Sequence, residues 1–142
     1  MTVSPAKQAQ QIRAASFGPQ LVSPSQIPPT GSTTLWTVAG GSISITSVQV
    51  VVTATMSATA TTLNIGCNIT GSPSATALLS AGTLTSLAAG ASVSGIPVLT
   101  SGGLGSVIAT AGAITWIASA TQTGTCQVYL SFIPLDVGAT VG

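Results

Sequence analysis

"TTLWTVAGGSISITSVQVVVTATM", residues 33–56, decides how the chain folds. Ile43 and Ile45 share one parity, whereas Val48, Val50, Val52, Ala54 and Met56 share the other. Side chains of a strand point alternately to its two faces, so each set marks a buried face. A change of parity would turn the second set outward unless the backbone gains a residue at the join. The stretch therefore predicts β-structure with a bulge or tight corner near Ser47.

The same period continues downstream. "TTLNIGCNIT" (61–70) places Leu63, Ile65, Cys67 and Ile69 inward and Thr62, Asn64, Gly66 and Asn68 outward, and "GSPS" then breaks the run as a turn. In the middle, "ATALLS" (75–80) and "IPVLTSG" (96–102) read as short strands on either side of the loop "SLAAGASVSG" (86–95). Near the end, "GAITWIASA" (112–120), "TQTG" (121–124) and "TCQVYLSFI" (125–133) predict a closing hairpin, which Pro134 terminates because it cannot donate to a ladder. Eight or nine short strands with frequent turns and no helical period predict an all-β domain. Its expected form is an antiparallel β-sandwich of jelly-roll type over residues 33–142.

Residues 1–32 are different in kind. They hold five of the eight prolines, which favour extended backbone at and before each ring. This segment reads as an extended N-terminal arm. Phe17, Leu21, Val22 and Ile27 recur along it as apolar anchors, with Lys7 and Arg13 as its only charges, and all six are candidate contacts to a partner surface. Removal of the arm is expected to leave the β-domain folded.

Charge is nearly absent. Lys7, Arg13 and Asp136 are the only charged side chains in 142 residues, and there is no histidine. Phosphate binding needs clustered Lys and Arg, so nucleic acid is not an expected partner. The apolar windows are interrupted by Ser, Thr and Gln every few residues, and five aromatics are too few for the girdles of a membrane barrel, so no membrane partner is expected either. The first residues carry no apolar h-region of a secretory signal, which predicts folding in the cytoplasm. Cys67 and Cys126 then read as free, buried thiols, with a disulfide as the alternative. Strand faces coated with Thr and Ser leave edges without their usual charged guards, which favours a chain covered by neighbouring subunits.

Catalysis is not expected. General acid–base chemistry needs titratable groups, and a Ser or Thr nucleophile needs an activating base. One carboxylate, no histidine and a lysine in the arm supply neither. No metal-ligand spacing and no cofactor fingerprint is present, so neither metal nor cofactor is expected. The Thr-x-Thr units at 53–55 and 59–61 do not continue at a constant spacing, as a flat ice-binding face would require. Trp36, Trp116, Tyr129 and Phe132 stand in alternating strands and read as core or interface aromatics, with sugar stacking on a tryptophan as the alternative. Asp136 reads as a solvated terminal charge, or as a partner for Arg13 of a neighbouring arm.

Two stretches resemble the small structural proteins of tailed bacteriophages: "LWTVAGGSISITSVQVVVTATMSATATTLNIG" (35–66) and "GAITWIASATQTGTCQVYLSFIPLDVGATV" (112–141). A Gly-Gly start, a Trp-containing strand leading to a Thr-Gly turn, and a final Pro-Leu-Asp with Gly-Ala recur in that group, with Phe132 here where Tyr is common. The resemblance implies a virion component, of which a capsid decoration (cement) protein is the foremost reading. Such proteins are commonly homotrimers on the outer capsid surface, bound to the major capsid protein and holding on by arms. A tail, baseplate or head–tail connector component is the alternative within the group. A carbohydrate-binding attachment module is the alternative outside it.

Overall fold

The computed structural model describes residues 4–5, 19–69, 76–95 and 107–142. These residues form eight strands: β1 (Gln20–Val22), β2 (Thr33–Val52), β3 (Thr62–Ile69), β4 (Thr76–Thr83), β5 (Ser92–Gly95), β6 (Val107–Ala118), β7 (Cys126–Pro134) and β8 (Thr140–Val141). Every ladder is antiparallel, and the sheet runs β1-β7-β2-β6-β3-β4, with β5 and β8 also paired to β2. The all-β expectation holds, and the sheet curls into a half-barrel. One apolar core fills its concave side.

The curl follows from β2, which is too long to stay in one plane. Its first half, Thr33 to Ile45, pairs with β6; its second half, Ile43 to Val52, pairs with β7, and Val48–Val51 also pair with β5. β2 thus crosses from a wing made with β6, β3 and β4 to a wing made with β1, β7 and β5. The pairings nest: β3 with β4 at the centre, then the second half of β2 with β5, its first half with β6, and β1 with β7 outermost. One long antiparallel ribbon, rolled up, produces such a pattern.

Two bulges keep the same face of β2 inward. Trp36 and Val38 are buried on even parity, Ile43 and Ile45 on odd, and Val48, Val50 and Val52 on even again. The second change coincides with a register shift between Ile45 and Ser47 against β7, where the sequence predicts it. The first lies at the glycines, where residues 39–41 oppose Ala111 alone and Gly40 has φ 73°. Each bulge adds bend and twist as well as correcting parity, so sequence period and curvature have one cause.

A third group of residues locks the first bulge. The turn after β7 lays the Asp136 carboxylate on the Ser42 amide, which donates at 2.7 Å, and the Leu135 amide donates to the Ser42 carbonyl at 2.9 Å. The Gly40 Cα lies so close to the Gly138 carbonyl that no side chain fits between them. Asp136 is therefore a backbone cap, a role the sequence does not announce.

Three expectations are corrected. β6 and β7 do not form a hairpin, because β2 lies between them and pairs with both. "TQTG" instead carries the chain from one wing to the other. "ASVSG", expected as loop, contains β5; "IPVLTSG" lies outside the described residues. The arm also differs from expectation over its second half. Gln20–Val22 pairs with β7 of the same chain, Gln26 bridges Cys126, and the Ala118 amide donates to the Pro29 carbonyl at 2.7 Å. Ser23, 1% exposed, accepts from the Val128 amide at 2.9 Å through its hydroxyl and so takes the place of a missing strand residue. The prolines explain the extended backbone, but not its seat on the chain's own sheet.

Candidate functional site

Among the described residues, no group of three or more His, Cys, Asp or Glu comes together, and no helix is long and apolar enough to cross a membrane. Trp36 (7%), Trp116 (1%) and Phe132 (6%) lie in the core. Neither tryptophan face is available to stack on a sugar. The Trp116 indole Nε1 is buried without a hydrogen-bond partner. Tyr129 stands half-buried on the outer face of β7, opposite Gln49 of β2 and Val22 of β1. Of the arm candidates, Leu21 packs against the core, while Val22 and Ile27 stay about half exposed. Lys7, Arg13 and Phe17 lie outside the described residues.

The largest fully buried polar side chain among the described residues is Gln122, in the crossover between β6 and β7. Its Oε1 accepts from the Ser57 amide at 2.8 Å and the Ser57 hydroxyl at 2.7 Å. Its Nε2 donates to the Thr59 carbonyl at 3.0 Å and to Thr61 Oγ1 at 2.7 Å. All four of its contacts fall on the loop that joins β2 to β3. Gln122 is thus a pin between two loops, with its amide fully used.

Cys67 and Cys126 are free thiols buried in the core, so the disulfide alternative is not realised. Desolvation raises both, Cys126 to about 12 from an ordinary 9.0. Only the thiolate reacts with alkylating reagents or disulfides. Native protein at pH 8 should therefore resist dithionitrobenzoate for as long as it stays folded, and should release two equivalents in denaturant. A folded state that holds its thiols protonated keeps this contribution to stability below pH 9 and loses it as pH rises from there towards 12. Prompt labelling of either native thiol would contradict the burial.

The outer surface carries two apolar features. On the wing of β6, β3 and β4 a groove of about 250 Å³ is lined by Asn64, Gly66, Ala77, Leu79, Thr115 and Ile117. At the far end of β7, Ile133, Leu135 and Val137 are exposed, Val137 completely so. The groove contains no titratable side chain, whereas Asp136 lies between Leu135 and Val137 with its carboxylate on the Ser42 amide.

No protein-family model matches the chain, and no curated protein or solved structure matches it either.

Proposed function

We propose that the chain is a structural virion protein of the capsid decoration (cement) type. It binds the outer shell and clamps junctions between capsomers. The observation that carries this reading is the contact between the two stretches that resemble phage structural proteins. The Gly40–Gly41 bulge of the first is capped by the Asp136–Gly138 turn of the second. The resembling residues thus form one structural joint, as expected if they encode a shared architecture.

The nested pairing supports the finer fold reading, a jelly roll. Counting β2 as two strands, first pairs with last and each inner pair follows in order, as in the two Greek keys of that fold. Burial of both tryptophans favours a structural role over a sugar-binding module. On this reading the partners are the major capsid protein and further copies of the chain, as a homotrimer. The action is mechanical: many modest contacts, linked through one shell, hold by avidity. On this reading the arm reaches a neighbour through residues other than 20–29, which bond to their own sheet.

The test is quantitative mass spectrometry of purified particles. A copy number comparable to the major shell protein is expected, and a chain lacking residues 1–18 should fold but occupy fewer sites. A count restricted to one vertex would move the protein to the tail or connector. Absence from particles would overturn the virion reading.

A further inference from the structure

The turn after β7 gathers exposed apolar side chains around the protein's one carboxylate side chain. Ile133 is 39% exposed, Leu135 51% and Val137 completely so, with Asp136 exposed between the last two. The turn is also firmly held. The Ala139 amide closes it on the Asp136 carbonyl at 3.2 Å, the Leu135 amide donates to the Ser42 carbonyl, and Gly138 abuts Gly40. A surface fixed in this way loses little conformational freedom on docking, which makes a small contact effective. The Ser42 amide bonds to Asp136 Oδ2, so Oδ1 remains for a second donor.

A carboxylate between apolar side chains asks for a cation placed in the same way. The chain has two cations, Lys7 and Arg13, and Arg13 has the apolar company: Ile12 precedes it and Phe17 follows four residues later. A guanidinium also suits the turn better than an ammonium, because it binds carboxylate with a planar fork and is more weakly hydrated. The ladder that seats the arm on β7 does not extend to the chain's own turn. In it, the Cys126 amide donates to the Gln26 carbonyl, the Val128 amide to the Ser23 hydroxyl and the Phe132 amide to the Pro19 carbonyl. Pro134 comes next in this even-numbered series and has no amide hydrogen, so the series stops short of Leu135.

We infer that the Ile133–Val137 turn of one copy receives the Arg13 segment of a second copy's arm. The guanidinium meets the Asp136 carboxylate, and the apolar neighbours of Arg13 meet Leu135 and Val137. An exposed ion pair alone contributes little, so the apolar side chains hold the contact and the charge pair sets its register. Each copy gives one arm and receives one, so the contact is heterologous and closes into a ring if the rotation allows. The inference deepens the cement reading: it rests on the arm as the grip between subunits, but not on the shell.

The experiment uses the full chain, with size-exclusion light scattering and disulfide trapping. The wild type is expected to self-associate. Arg13→Glu sets carboxylate against carboxylate, and Val137→Asp puts a charge on the apolar rim. Each should weaken association about tenfold or more. The melting curve should not change for Val137→Asp, since that side chain is completely exposed. Asp136→Arg also removes the cap on Ser42, so it is read against its complement: adding Arg13→Glu to it should restore association. Mixing an Arg13→Cys protein with a Val137→Cys protein should give a disulfide-linked heterodimer, because the native thiols are buried. A monomeric wild type would overturn the inference. So would association indifferent to both Arg13→Glu and Val137→Asp, or a chain with both cysteines that links only to itself. In these cases normal occupancy on particles would leave the cement reading intact. Absence of the chain from particles would remove that reading, while a trapped heterodimer would still uphold the contact.

Discussion

Replacing Gln122 with leucine is expected to cost about 3 kcal/mol and to lower Tm by roughly 10 °C, although the two side chains are similar in size. The loss is not one of volume. Gln122 takes up the Ser57 amide and hydroxyl, the Thr59 carbonyl and Thr61 Oγ1, and leucine would leave those groups facing an apolar surface. A buried donor or acceptor without a partner costs about 1–3 kcal/mol, and partial solvation of Ser57 keeps the sum towards the lower end. Urea titration of the variant beside Ser57→Ala separates the pin from a single bond, since Ser57→Ala removes only a hydroxyl. Near-equal midpoints for Gln122→Leu and wild type would show that the two loops are held by packing alone.

The larger effect is expected at Gly40. An alanine Cβ there would stand 2.2 Å from the Gly138 carbonyl oxygen, and the residue has φ +73°. Gly90 supplies the comparison, with φ +89° and nothing within 4 Å of an added methyl group. Gly90→Ala should therefore lose only the left-handed backbone cost, about 1–2 kcal/mol. Gly40→Ala should lose that and the joint with the C-terminal turn as well, for a total above about 4 kcal/mol or no folded protein. Denaturant midpoints of the two variants, with far-UV circular dichroism as the check on folding, isolate the clash as their difference. Equal losses would mean that the 136–138 turn yields freely, and that the bulge does not depend on it.

These two positions also mark where the sequence can be read and where it cannot. The parity change around Ser47 is legible because alternation is a local property of one strand, and a bulge is its simplest remedy. The inward set Leu63, Ile65 and Cys67 is legible for the same reason. Pairing is not local. "GAITWIASA" and "TCQVYLSFI" carry the signature of strands joined by a turn, but alternation does not say whether the partner is the next strand or β2. Gln122 looks like a turn residue because its type is polar, and only four partners distant in sequence make its burial tolerable. Asp136 gives no signal for a comparable reason, since the amide it caps lies 94 residues away. β5 is hidden by shortness and small side chains.

The nested ribbon has a consequence in time. The β3–β4 pair at its centre joins neighbours in sequence, while β1 and β7 at its rim join the two ends of the chain. Closing long loops before contacts reward them makes such folding slow. On a ribosome, β2 emerges well before β5, β6 and β7, all of which it needs. Until the last of these leaves the exit tunnel, a twenty-residue strand without one charged gatekeeper waits incompletely paired. Slow synthesis, low temperature or a holdase during expression should raise the yield of folded chain, and rapid overproduction should send it to inclusion bodies.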